Sequence, residues 1–263
     1  MCILFIAVDM HPKWPLIVCA NRDEFHHRPT EPAHFWPIAA SSTNQATSSA
    51  AQILAGKDLQ AGGTWLGVNK LGQFSALTNI RLQSEHEGMR SRGELVLKAL
   101  SGDGLLNQQW LQQHSDNYSP FNLVYQQDNQ LWCFNSATAE NLPLSKGFHA
   151  VSNGALDDVW PKMAKGQQAL EQHVLSHDEP DIVQMLSFMR DESEADDTGL
   201  PNTGIDLEWE RLLSAIFIKH PEYGTRSTSV VMQDSIGNIE FTEVRYDGKS
   251  RNLGQQRFSI STE

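Results

Sequence analysis

Long apolar runs are missing from this chain of 263 residues. The run that opens it, Cys2 to Val8 in "MCILFIAVDM", falls well short of the roughly 20 residues a spanning helix needs. No basic segment precedes that run, and Asp9, His11 and Pro12 follow it in place of a cleavage site, so no export signal is read. Cysteine is scarce: Cys2, Cys19 and Cys133 are an odd number at wide spacings. They form neither a disulfide framework nor a zinc pattern, and they suit a reducing compartment, so the cytoplasm is expected. Positive charge is also short. Lys and Arg number 20 against 32 Asp and Glu, and the formal net charge of -12 excludes a phosphate-backbone partner such as nucleic acid.

Phosphate-cradling loops are absent as well, since no GxGxxG follows a strand pattern and no GxxxxGK[ST] occurs. "AGGTWLG" is glycine-rich but has neither the lysine nor the spacing. His26, His27 and His34 cluster in "FHHRPTEPAH", where adjacent histidines in a Pro-rich loop rarely share an ion. The acidic stretch from Arg190 to Gly204 lacks the spacing and closing Glu of an EF-hand and reads as a solvated loop. No metal and no cofactor is expected.

What is present is a globular composition, 40% hydrophobic, with periodicities that change along the chain. Ile3 to Val8 and Leu16 to Ala20 are apolar runs separated by a turn-rich segment, and they read as a buried β-hairpin with Cys2 at its start. "TWLGVNKLGQFSALTN" and "FNLVYQQDNQLWCFNS" read as two more hairpins, and Thr225 to Tyr246 as a fourth around "DSIGN". Helices are predicted from Ser91 and Glu94 at capping-box spacing, over Leu105 to Gln113, over Asp157 to Val174 with Pro161 in the first turn, over Ile182 to Met189, and in "LEWERLLSAIFI". Paired strands and paired helices predict an α+β fold of antiparallel sheets covered by helices, one domain over 1–263 with a loose polar tail from Gly248.

Compact polar motifs lie at the edges of the strand-like runs: "ANRDEF", "AGGTWLG", "ALTNIR", "SRGELV", "SNGALDDVWPK" and "YGTRSTSVV". Together with "MCI" and "FNLV", in this order from Met1 to about Glu243, they resemble the NRDE family, also called the transport and Golgi organization 2 family. The resemblance implies a fold similar to the N-terminal nucleophile hydrolases, a four-layer αββα sandwich. Within that superfamily it points to the group of the penicillin V acylases and bile salt hydrolases, which cleave non-peptide amide bonds with an N-terminal cysteine. It also implies an alternative, because family members are connected with haem mobilisation and with lipid or acyl-coenzyme A homeostasis. The implied partner is thus a small amide or acyl ligand, or haem. His11, His26, His27, His34 and Met10 are the axial candidates for haem, without an attachment motif.

The same resemblance suggests site residues. Cys2 takes the place of the nucleophile, Asn79 that of the oxyanion-hole asparagine, Asn153 that of a second asparagine, and Arg226 that of a late arginine. The group's Arg and Asp, three positions apart, fall here on Asn21 and Glu24, or their roles shift to Arg22 and Asp23. Residue chemistry agrees with such roles. Removal of Met1 leaves Cys2 with a free α-amine, whose ordinary pKa near 8 lets it accept the thiol proton. Asn side-chain N–H groups are suitable oxyanion donors, and an arginine beside the thiol favours the thiolate. Each residue also has a structural alternative: Cys2 as a small core hydrophobe, Arg22 with Asp23 as a salt bridge, the asparagines as turn partners, and Arg226 paired with Glu222 or Glu243. Trp36, Trp65, Trp160 and Phe74 are candidates for an apolar cleft or for the core.

Overall fold

A computed structural model describes residues 2–38, 52–81 and 88–262. β1 (Cys2–Val8) and β2 (Leu16–Phe25) are followed by β3 (Thr30–Pro37), β4 (Gln52–Asp58), β5 (Leu66–Asn69) and β6 (Phe74–Asn79). Two helices intervene, α1 (Gly93–Leu100) and α2 (Gln108–His114), and then β7 (Phe121–Gln127), β8 (Gln130–Asn135), β9 (Glu140–Pro143) and β10 (Gly147–Val151). After α3 (Pro161–Ser176), α4 (Ile182–Phe188) and α5 (Leu207–Leu212), the chain ends in β11 (Tyr223–Gln233), β12 (Ile239–Tyr246) and β13 (Asn252–Ile260).

The strands form two antiparallel sheets. One has six strands in the order β10-β1-β2-β11-β12-β13, the other seven in the order β3-β4-β5-β6-β7-β8-β9. Side chains alternate across each sheet, so one strand feeds two cores. Leu4, Ile6, Leu16, Val18 and Ala20 point between the sheets, where they meet Leu54, Val68, Phe74 and Val124 of the second sheet. Ile3, Phe5, Ile17 and Cys19 point the other way and pack under α3 and α4, against Met163, Leu170 and Met185. The outer face of the seven-stranded sheet presents Ile53, Leu77, Phe121 and Leu123 to Leu95 and Leu100 of α1 and Leu111 of α2. Four layers result, αββα, as the family resemblance implies.

Several local expectations are revised. "NRDEF" does not follow the second strand. It lies inside β2, which runs through Phe25 because Tyr223 to Thr225 of β11 pair with its far end. The Ser91–Glu94 capping box does not form: the cap position is Arg92 without a side-chain bond, and Glu94 accepts instead from Arg90 and from the Tyr118 hydroxyl. The polar stretch after Gly248 contains β13, a strand exposed over its first six residues, paired to β12 along the backbone and anchored at its end by Phe258 against Phe241 and by the buried Ile260. Buried apolar residues come only at its end, which hides most of it from hydropathy. Strands β3, β4, β9 and β10 also escape the sequence reading.

A close helix-to-sheet contact is made at a glycine. A Cβ at Gly166 of α3 would meet the ring of Phe5 in β1. Gly166→Ala is therefore expected to destabilise the fold by about 1–3 kcal/mol, as overpacked core positions do. Urea unfolding checks this, and an unchanged midpoint would show that α3 does not need that close approach.

Candidate functional site

β1 begins, and β2 and β6 end, at the same edge of the sandwich, and a cleft of about 260 Å³ opens there. Cys2, Arg22, Glu24, Trp65, Asn79 and Arg92 line it. A larger cavity of about 690 Å³ opens between the turns at the other end, near Asp9 and Asp128. Its lining includes no cysteine and no histidine, so size and chemistry point to different places. Chemistry favours the Cys2 cleft, because there a cysteine thiol shares the lining with arginine, carboxylate and amide side chains.

Backbone register builds the site. Cys2 lies directly opposite Arg22 in the β1–β2 pair, so both side chains face the second sheet. The Arg22 guanidinium stacks 4.3 Å from the centre of the Trp65 ring. Its Nη2 donates to Asp58 Oδ2 at 3.4 Å and lies 3.8 Å from Glu24 Oε2, while its buried Nη1 has no partner among the described residues. Arg28 braces the same carboxylates, with Nε 2.7 Å from Asp58 and Nη1 3.6 Å from Glu24. Burial pushes the Cys2 thiol up, while the charge of Arg22 and the backbone N–H of Asp23 pull it down.

Asp23, one step along β2, also belongs to the lining of the cleft, and Thr225 Oγ1 donates to its Oδ1 at 2.7 Å from the helix side. Burial raises its carboxyl, against the positive charge of Lys162 and the Thr225 hydrogen bond. Asn21 also faces the helices. Its Nδ2 donates to the carbonyls of Met189 at 2.9 Å and Ile216 at 2.8 Å, and its Oδ1 accepts from Thr228. This amide is fully occupied in tying β2 to the segments that end α4 and precede β11.

Asn79, at the end of β6, lines the cleft, but Asn153 and Arg226 do not. Asn153 is buried behind Asn79, where its Nδ2 donates to the Asn79 carbonyl at 2.9 Å, so it holds a wall and does not line the cleft. Arg226 sits at a bulge in β11, between the pairs Thr225–Asp23 and Ser227–Arg22. The bulge re-aims its side chain, and Nη1 donates to the carbonyls of Phe25, His26 and Arg28. It pairs with neither Glu222 nor Glu243; it clamps the β2–β3 turn.

Of the aromatic candidates only Trp65 reaches the cleft. Trp36 and Phe74 are core residues, and Trp160 packs under Arg81. None of the axial candidates lines it. His11 Nε2 donates to the Asp178 carbonyl, His26 Nε2 to that of His220 and His34 Nδ1 to that of Pro32. Among the described residues no three of His, Cys, Asp and Glu converge as metal ligands. Among the described residues no helix is long and apolar enough to cross a membrane. Met1 lies outside the described residues.

Sequence reasoning passed over several residues here. Arg92 of "SRGELV" lines the cleft and donates to the Pro120 carbonyl at 3.2 Å. Asp58 gathers Arg22 and Arg28. Lys162 of "DVWPK" and the buried pair Arg81–Glu210, 2.9 Å apart, lie behind Asn153. Each stands inside or beside a quoted motif, which was the signal available.

Comparisons agree on kinship. A family model described as Transport and Golgi organisation 2 matches residues 1–248. The Transport and Golgi organization protein 2 homolog of Bos taurus is 30% identical over 269 residues, covering 92% of each chain. The Homo sapiens homolog is 30% identical over 265 residues, again with 92% of each covered. Among solved structures, a C2A mutant of the conjugated bile acid hydrolase from Clostridium perfringens is 10% identical, covers 100% of this chain and 95% of its own, and has a TM-score of 0.49. An N-acylethanolamine-hydrolyzing acid amidase ortholog from Caenorhabditis elegans is 12% identical, covers 71% and 84%, and scores 0.44. Likenesses this distant carry no inference about chemistry.

One buried carboxyl beside the site gives a test. Glu243 of β12 faces the second sheet and accepts from Ala33 N at 2.8 Å, and burial pushes its carboxyl up to about 6. A folded-state pKa above the unfolded one means stability that is complete at low pH and lost as pH rises through about 6. Glu243→Gln keeps an acceptor for Ala33 and removes the charge. It is expected to be more stable than the parent by about 2 kcal/mol above neutrality, with the gain vanishing near pH 4. Unfolding midpoints across that range check it, and a gain that does not depend on pH would refute the assignment.

Proposed function

We propose that this chain, which belongs to the Transport and Golgi organisation 2 family, is a hydrolase whose N-terminal Cys2 cleaves the amide bond of a small acyl amide. The observation that carries this reading is that Cys2, Arg22 and Asn79 line one small cleft. Catalysis starts once Met1 is removed. The Cys2 α-amine takes the thiol proton, and the sulfur attacks the substrate carbonyl carbon. The C=O electron pair moves to oxygen, where the Asn79 side-chain N–H stabilises it. As the pair returns, the C–N bond breaks and the proton held by the amine passes to the leaving nitrogen. A thioester remains, and water hydrolyses it to the free acid and regenerates the thiol.

The surroundings suit this sequence of steps. A thiol whose pKa is raised by desolvation is a poor nucleophile until something accepts its proton, and a terminal amine supplies that acceptor without a histidine. Arg22 stabilises the thiolate, and Trp65 and Leu77 give the acyl group an apolar wall. The nucleophile must stay reduced, which suits the cytoplasm. Haem binding finds less support, since a cleft of about 260 Å³ is small and the histidines lie elsewhere.

Two outcomes are expected. Intact mass of untagged protein should show loss of Met1, and full retention would remove the proposed base. In a screen of fluorogenic acyl amides, Cys2→Ala should abolish release, and Asn79→Ala should lower kcat about 100-fold with little change in KM, the usual effect of losing one oxyanion donor. Turnover that survives in Cys2→Ala would end this reading.

A further inference from the structure

Lys162 is an ionisable side chain that is almost wholly buried. It sits in the first turn of α3 and is 4% exposed. Its Nζ donates to the Leu213 carbonyl at 2.9 Å and reaches Asn153 Oδ1 at 3.5 Å, the outer limit of a hydrogen bond. Asn153 Nδ2 in turn donates to the Asn79 carbonyl at 2.9 Å. Ser152 Oγ lies 3.2 Å from both the Cys2 carbonyl oxygen and Asn153 Oδ1. One buried nitrogen thus stands behind both walls of the Cys2 cleft.

We propose that Lys162 is a positioning residue for Cys2: anchored on Leu213, it supports Asn153 and places a buried ammonium beneath the strand ends that carry Cys2 and Asp23. This rests on Cys2 being the reactive thiol. Without Lys162, Asn153 Oδ1 would lose a donor in a dry site, and the Asn79 and Ser152 contacts would lose their shared support. The charge matters as much as the bond. The groups that face Lys162 are Arg81 after β6, Asp23 on β2, Cys2 on β1 and Glu210 on α5, while Tyr223 at the start of β11 faces Asp23 and Cys2. Arg81 is already paired with Glu210 at 2.9 Å. The Asp23 carboxylate and the Cys2 thiolate are the anions nearest the cleft that the Lys162 charge acts on. Burial lowers its amine to about 7, so the ammonium is present below neutrality and fades above it.

The test reads Cys2 directly, without a substrate. The rate of Cys2 alkylation by iodoacetamide is measured from pH 6 to 9 on the full processed chain, with Cys2→Ala as the blank. Cys19 and Cys133 are 0% and 2% exposed and should not contribute. Lys162→Met is expected to react about tenfold more slowly than the parent below pH 7, the size of one pKa unit, with the deficit closing above about pH 8 where Lys162 is neutral. A profile that superimposes on the parent's, or that lies below it by one constant factor at every pH, overturns the proposal. If Lys162→Met does not fold, Lys162→Gln, which keeps a donor for the Leu213 carbonyl, carries the same test. Failure here is separable from failure of the hydrolase reading. A shifted profile in a protein that cleaves no amide would sink only the latter, and an unchanged profile in an active amidase only the former.

Discussion

The β1–β2 register, with Cys2 opposite Arg22, is the constraint on which the rest of the site depends. Side chains alternate along a strand, so a slip of one residue would send Cys2 toward the helices and Ile3 toward the second sheet. The apolar residues prevent that slip. Leu4, Ile6, Val18 and Ala20 fit between the sheets, while Ile3, Phe5, Ile17 and Cys19 fit under α3 and α4. Both faces of the pair are buried, and neither set can be moved without exposing the other. The thiol is therefore aimed by residues that never approach it.

The same alternation divides the tetrapeptide Asn21 to Glu24. Arg22 and Glu24 project toward the cleft, where Asp58, Arg28 and Trp65 meet them. Asn21 and Asp23 project toward the helices, where Asn21 holds two carbonyls and Asp23 accepts from Thr225. A motif that looks like one polar cluster is two pairs with opposite duties. This resolves the spacing left open in the sequence: Asn21, three positions before Glu24, is a tie between layers, and Arg22 is the residue brought beside the thiol.

Hairpins with an apolar face were legible, because periodicity and turn residues agree in β1–β2, β5–β6, β7–β8 and β11–β12. Strands such as β9 and β13 were not, since most of their side chains are exposed and leave little apolar pattern to read. The site was legible in part. Cys2, Arg22 and Asn79 could be placed at strand ends, where a cleft has room to form. The placement of Arg226 was not legible, because a bulge, invisible in sequence, turns it onto the carbonyls of Phe25, His26 and Arg28. Nor was that of Asn153, whose partner Asn79 is far away in the chain and is brought to it only by the fold.

Buried charge is the remaining feature that needs a reason. Arg81 and Glu210 form an ion pair with side chains 8% and 4% exposed, and Lys162, Asp23 and Glu243 lie equally deep. Packed apolar residues at these places would commonly hold a fold at least as well, because desolvation offsets much of the attraction within a buried pair. Stability alone therefore gives weak grounds for such a cluster. Its location gives stronger ones: the charges line the backs of the strands that carry Cys2 and Asn79, and a dry, fixed field acts there on whatever charge develops in the cleft. A group of buried titratable residues with displaced pKa values, gathered behind one partly exposed thiol, is the arrangement expected where protonation is controlled for chemistry and not only tolerated by the fold.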